Sequence, residues 1–287
     1  MKKTLRLKQL IKSPVILAAP GVYDVLSARI AEACGFQAVQ VSGYGISASS
    51  LGMTDASFTS LDEVVSITAN IARVLEIPVI ADADTGYGNA VNVWWTTRRL
   101  EEAGAAGMNL EDQCLPKRCG HMEGKQLIPL EEMVGKVRSA ANARIDKDFV
   151  INARTDAALV CGIEEAIRRG NAYLDAGADM IFVESPATVD EIKKAVKEIH
   201  GPVSINMLEG GRTPRLTFKE LNELGVARVS CPMFSSFAAA YAVKKGFEYL
   251  MEHGTSMGYE ELMSFTEYQE LTDTPKVRAM EQEYIPK

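Results

Sequence analysis

A single (β/α)8 barrel of the TIM type is the α/β fold that this sequence predicts, on three observations. Short apolar runs rich in β-branched residues recur eight times along the 287 residues, each followed by a polar or glycine-containing turn and a stretch with helical spacing. The runs are near-continuous in hydrophobicity rather than alternating, which marks strands covered on both faces in a parallel sheet. No glycine fingerprint follows the first run, as a doubly wound sheet that binds dinucleotides would require.

The strand candidates are VILAAP (15–20), AVQVSG (38–43), PVIADAD (78–84), GMNLED (107–112), FVINARTD (149–156), MIFVESP (180–186), PVSINML (202–208) and RVSCP (228–232). Between them lie helical segments. YDVLSARIAEACG (23–35) sets Val25, Leu26, Ile30 and Ala33 on one stripe and stops at Gly35, a C-cap residue. SLDEVVSITANIARVLE (60–76) opens with Ser60 and Glu63 at capping-box spacing. Further amphipathic stretches occupy 90–104, 130–144, 163–177, 189–199, 217–224 and 236–251. No repeat, low-complexity tract or linker intervenes before residue 254, so one domain, 1–287, is expected. Residues 257–287 read as a charged helical extension whose Tyr259, Leu262, Met263, Phe265, Tyr268 and Leu271 have no evident place on a closed barrel.

Composition narrows the function. At 47% hydrophobic and 24% charged the chain is ordinarily globular, and a net charge of −7 with no basic run beyond MKKTLRLKQLIK argues against nucleic acid as a partner. The apolar stretch 14–19 is too short for a secretory core or a membrane span, so a soluble cytoplasmic protein is expected. Five scattered cysteines (34, 114, 119, 161, 231) fit free thiols better than a disulfide framework.

Barrels of this kind build their chemistry at the C-terminal ends of the strands. Those ends carry Ser42 and Gly43, Asp82 and Asp84, Glu111 and Asp112, Asn152 and Arg154, Glu184, Asn206, and Cys231 and Pro232. Several carboxylates around one opening repel each other unless a cation joins them, and a purely oxygen donor set points to Mg2+ or Mn2+. Asp82 and Asp84 are two apart, which on a strand places them on one side. The plainer reading, that such acids cap helices or pair with surface bases, holds for single residues better than for the set.

The segment EDQCLPKRCGHMEGK (111–125) follows the fourth run directly. Its Cys114, Cys119 and His121 lack the CxxC pairing and the fourth ligand of a structural zinc site. A solvated loop accounts for its charges alone. Its place at the barrel mouth, with glycines at 120 and 124, fits a loop that closes over substrate, where Lys117, Arg118 and His121 would favour the Cys119 thiolate and hold a dicarboxylate.

KRCGH at 117–121, preceded by EDQ at 111–113, resembles the signature of the isocitrate lyase and phosphoenolpyruvate mutase superfamily, above all its methylisocitrate lyase and dimethylmalate lyase branches. APGVYDVLSARI (19–30), VSGYGISASSLGMTD (41–55), ADADTGYGNA (81–90), NARTDA (152–157), FVESP (182–186) and NMLEGGRTP (206–214) resemble family blocks in the same order. The resemblance implies a Mg2+-dependent enzyme that breaks or forms a bond next to the carboxylate of a 2-oxo or 2-hydroxy acid. Carried over, it makes Asp82 and Asp84 metal positions, with Asp55, Glu111 and Glu184 near the ion or reaching it through water. Ser42, Gly43, Tyr44 and Arg154 would hold substrate, together with Asp82, Gly120, Glu184, Asn206 and Pro232. Cys119 would be the acid that protonates the carbanion, with Lys117, Arg118, Gly120 and His121 in the gating loop around it. Tyr44, or an anionic group near the metal, is a candidate base.

Cys119 argues against a phosphonate mutase, which lacks the KxCGH cysteine. The SGYG form and the NMLEGGRTP segment resemble the dimethylmalate lyase and oxaloacetate hydrolase group more than methylisocitrate lyases. The expectation is a lyase that releases pyruvate from a substituted malate of the 2,3-dimethylmalate type; 2-methylisocitrate cleavage and oxaloacetate hydrolysis are the alternatives. A non-catalytic barrel that binds a dicarboxylate is the reading from a different class. Helix exchange in a homotetramer, a dimer of dimers, is implied by the same resemblance.

Overall fold

In the computed structural model, which describes every residue except His121, Glu123 and Lys287, eight parallel strands close on themselves in sequence order. They are β1 (Leu17–Val22), β2 (Val39–Val41), β3 (Val79–Asp82), β4 (Gly107–Glu111), β5 (Val150–Thr155), β6 (Met180–Val183), β7 (Val203–Asn206) and β8 (Arg228–Cys231). The helices are α1 (Lys3–Ile11), α2 (Val25–Ala33), α3 (Gly43–Ile46), α4 (Leu61–Val74), α5 (Ala90–Glu102), α6 (Leu130–Ala143), α7 (Ala157–Val160), α8 (Ile163–Asp175), α9 (Val189–Glu198), α10 (Phe218–Glu223), α11 (Phe234–His253), α12 (Phe265–Leu271) and α13 (Thr274–Tyr284). All eight strands lie within or overlap the apolar runs, and, α1 apart, each long helix falls where the spacing predicts one.

Local chemistry sets the helix ends. Asp24, Ser60, Asn89 and Thr217 each accept from the backbone N–H at the start of their helix, and each is answered by a side chain three residues on. The predicted stripe of α2 is rotated: Ala28 and Ala31 are buried while Leu26 and Ile30 are exposed. Small alanines let this helix lie close against the strands, and the larger apolar residues point outward.

Two features were not legible beforehand. The basic N-terminal segment forms α1, whose Leu7 and Ile11 are fully buried in an apolar cluster with Leu17, Ala19, Ala38, Ile80, Val150 and Met180, closing the lower end of the barrel. Above that cluster the interior is polar rather than branched-aliphatic: Gln40, Asn109, Asn152, Ser204, Arg228 and Ser230 are all buried. The register that pairs Asn109 with Asn152 and Glu111 with Arg154 stacks this polar tier beneath the strand ends.

The chain divides into two compact units, Met1–Ser235 and Ser236–Lys287. The second consists of most of α11 with α12 and α13, and none of the residues in these three helices is buried. Tyr249 stacks on His253 at 4.0 Å within it, and Ser264 with Glu267 forms a capping box on α12. No helix among the described residues is long and apolar enough to cross a membrane.

Candidate active site

The strand ends converge on a cavity of about 40 Å3 at the mouth of the barrel. From β2 and the turn after it come Ser42, Gly43 and Tyr44; Asp55 and Asp82 form one side, Arg154, Glu184 and Asn206 the other, and Leu208, Pro232 and Met233 an apolar wall. The loop following β4 covers it with Lys117, Cys119 and Gly120. A larger open cleft of about 580 Å3 lies around Lys2, Lys3 and Asp146 and has no comparable convergence of acids from strand ends.

Backbone geometry shapes the β2 side. Ser42 caps α3 by accepting from the Gly45 N–H at 3.1 Å, and the Gly43 N–H donates to Asp82 Oδ2 at 3.0 Å. A Cβ at position 43 would lie 2.7 Å from that oxygen and 3.8 Å from Asp84 Oδ1, so only glycine lets the turn rest on these acids. Thr54 Oγ1 donates to Tyr44 Oη at 3.3 Å.

Asp82 and Asp84 are brought together by a turn, not by strand alternation. β3 stops at Asp82; Asp84 has a φ of +45° and donates its N–H to Asp82 Oδ1 at 3.1 Å. Lys117 Nζ lies 2.6 Å from Asp55 Oδ1 and 2.7 Å from Asp84 Oδ1, and the backbone N–H of Lys117 donates to Ser57 Oγ at 3.0 Å. Burial pushes the Asp84 carboxyl up, opposed by Lys117. Burial alone would lower the Lys117 ammonium, but Asp84, Glu111, Asp55 and Asp82 outweigh it and hold it well above its ordinary value.

On the opposite side Arg154 gathers three carboxylates. It forms a bidentate pair with Asp156 at 2.9 and 3.0 Å, and its Nη1 lies 3.2 Å from both Glu111 and Glu184. Glu184 also accepts from Asn206 Nδ2 at 3.3 Å. Burial drives the Glu111 carboxyl well above the usual range despite Arg154 and Lys117. Asp112, the other acid at the end of this strand, is committed to structure, accepting from Thr155, Tyr173 and Arg169.

Lys125 and Ser185 hold the mouth loop in place. Lys125 Nζ donates to the Gly120 carbonyl and to Asp156, and Ser185 Oγ donates to the same carbonyl at 3.0 Å. A Cβ at Gly120 would meet Arg154 Nη2 at 2.4 Å, so the loop lies directly on the guanidinium. Arg118 does not share the cavity: it is exposed, and its backbone is tied to the Gln113 amide at 2.9 and 3.0 Å. His121 lies outside the described residues. Burial pushes the Cys231 thiol up to about 11, so it is a neutral thiol at the rim of β8.

Among the described residues no three acids, histidines or cysteines stand together at metal-coordinating spacing. The donor chemistry nevertheless suits a hard divalent cation. Glu111 Oε1 is buried with no hydrogen bond, and Asp84 Oδ1 has its ion pair with Lys117 but no aligned hydrogen bond, while Asp82 Oδ1 accepts from the Asp84 N–H. Gln40, Lys125, Asp156 and Ser185 are site residues that the sequence reading did not single out. Gln40 alone had a signal, since it lies two residues before Ser42 in the run that forms β2, at the spacing that puts strand residues on one side.

A parallel barrel whose strand-end carboxylates, Lys117, Arg154 and loop-borne Cys119 meet at one mouth has the make-up of an enzyme active site. Residues 7–251 match the family model described as phosphoenolpyruvate phosphomutase. The chain belongs to the phosphoenolpyruvate mutase/isocitrate lyase superfamily. It is 42% identical over 285 residues, covering 99% of both chains, to the 2,3-dimethylmalate lyase of Eubacterium barkeri. Among solved structures it resembles an oxaloacetate acetylhydrolase bound to 3,3-difluorooxalacetate, with TM-score 0.94, 32% identity and coverage of 100% and 98% of the two chains. It also resembles a phosphonopyruvate hydrolase complexed with oxalate and Mg2+, with TM-score 0.91, 34% identity and full coverage of both chains.

Proposed function

We propose that this protein is a Mg2+-dependent carbon–carbon lyase that cleaves a substituted malate of the 2,3-dimethylmalate type into pyruvate and a carboxylic acid such as propionate. The observation that carries the reading is the end-to-end similarity to a 2,3-dimethylmalate lyase, joined to a small cavity with one apolar wall. Leu208, Pro232 and Met233 suit methyl substituents better than the third carboxylate of 2-methylisocitrate. Hydrolysis of oxaloacetate is the second reading, favoured by the likeness to the acetylhydrolase structure.

Asp82 and Asp84, with Asp55 and Glu111 beside them, are the residues that would hold the metal, Mg2+ or Mn2+. When bound, it supplies Lewis-acid polarisation of the forming 2-oxo group. Ser42, Gly43, Arg154 and Asn206 orient the substrate carboxylates. A base, Tyr44 or a carboxylate of the wall, takes the proton of the 2-hydroxyl as the C2–C3 bond breaks. C2 becomes the carbonyl carbon of pyruvate, and the electron pair left on C3 takes its proton from Cys119 on the covering loop. Lys117 offsets the acids of the wall, and Gly120 seats the loop on Arg154. The protein acts in the cytoplasm as a homotetramer with helices of the second unit exchanged between subunits.

The test is to incubate purified protein with dimethylmalate, 2-methylisocitrate and oxaloacetate and to follow pyruvate, glyoxylate and oxalate. Pyruvate from dimethylmalate, abolished by EDTA and restored by Mg2+ or Mn2+, is expected. Absence of turnover of every 2-hydroxy and 2-oxo acid tried, with either metal, would overturn the reading.

A further inference from the structure

Beneath the cavity lies a cation that the proposed chemistry leaves unused. Arg228, at the start of β8, is fully buried, and among the described residues no carboxylate pairs with it. Its guanidinium instead donates to three neutral side-chain oxygens on three other strands: Gln40 Oε1 on β2, Ser204 Oγ on β7 at 3.3 Å and Asn109 Oδ1 on β4 at 3.5 Å. Its Nε has no partner. A buried arginine without a counter-ion is costly, and burial pushes this one down to about 9. Packing alone is served better by an apolar residue, as the cluster just below demonstrates.

Gln40 connects this charge to the site. It lines the cavity with Ser42 and Tyr44, while its Oε1 is held from below by Arg228. Arginine can only donate, so the atom facing it is the amide oxygen and the amide Nε2 is turned the other way. That Nε2 donates to no described group, which leaves a donor on the cavity floor facing the ligand space.

We infer that Arg228 is a positioning residue that fixes the Gln40 amide with its N–H2 group toward the cavity, where that group donates to an anionic oxygen of the bound acid. The inference rests on the reading that the ligand is a small carboxylic acid. It also explains the missing counter-ion. The arginine charge polarises the amide along the line from guanidinium to ligand, and a carboxylate in place of Gln40 would cancel that polarity and remove the donor. A lysine would keep the charge, but as a compact point charge it would lose the planar fork that ties β2, β4 and β7 together.

The decisive variant is Gln40→Glu, which preserves shape and gives Arg228 a carboxylate. We expect a melting temperature equal to or above that of the parent, with oxalate affinity, measured calorimetrically with Mg2+ present, and kcat/KM for the substrate both lowered by about tenfold or more. Parental affinity and kinetics in Gln40→Glu would overturn the inference, because a purely structural pair tolerates that exchange. Arg228→Met and Gln40→Leu should each weaken oxalate binding, and their combination should weaken it no further than the stronger single change; additive losses would count against Arg228 acting through Gln40. Should Arg228→Met fail to fold, Gln40→Glu alone decides. If the parent binds oxalate and turns over substrate while Gln40→Glu matches it, only the inference falls. If the parent turns over no acid at all, the functional reading falls.

Discussion

Cys119 brings a thiol on the covering loop to the cavity that the strand ends line. Replacing it with serine changes one atom and removes the readily transferred proton. Cys119→Ser should lower pyruvate release by on the order of a hundredfold or more, with the melting temperature and metal-dependent oxalate binding unchanged. Near-parental turnover would remove the assigned role. Asp82, Glu111, Glu184 and Arg154 were legible in the sequence because each stands at the end of an apolar run, and position on a strand determines which rim a side chain reaches, whereas Asp55 was reached only through the family resemblance. Asp84 was legible as a neighbour of Asp82 but not by its route, since a left-handed turn replaces the alternation that seemed sufficient. Lys125, Asp156 and Arg228 were not legible. Each acquires its meaning from partners that only closure of the barrel brings near, and a buried lysine resembles a surface lysine in sequence.

At the scale of elements, α4 is the clearest case of local code. Ser60 Oγ accepts from the Glu63 N–H at 3.3 Å, and the Glu63 carboxylate accepts from the Ser60 N–H at 2.7 Å. Ser60→Ala should destabilise the protein by about 1 kcal/mol, read from the midpoint of urea unfolding at constant slope. The backbone and hydroxyl of Ser60 hold the Glu63 carboxyl below its ordinary value of 4.5. A group depressed in the folded state stabilises above its unfolded value, and that contribution disappears as pH falls through the folded value. The penalty of Glu63→Gln should therefore be larger at neutral pH than at a pH below both values; an equal penalty at the two would contradict the capping role. Strand and helix positions were legible because short continuous apolar runs alternate with stretches of helical spacing. The facing of α2 was not, because size rather than polarity decides which side packs closest. The role of α1 was hidden for a related reason: its nine residues show their use only beneath a barrel that needs closing.

For the whole molecule, the second unit presents Phe237, Tyr241, Phe247, Leu250 and Met251 exposed on a single helix. Such a face is covered in solution or prone to aggregation. The proposed homotetramer predicts a particle four times the 31.3 kDa chain by light scattering, and a stable monomer would contradict it. The closed lower end carries a further consequence. With Leu7 and Ile11 packed at that end and the polar tier filled above them, the reactant and both fragments of the proposed cleavage would pass through the barrel mouth. In that reaction the fragment formed deeper in the barrel would leave after the one above it. A nine-residue helix that lines no part of the cavity thus closes the barrel on the far side from it.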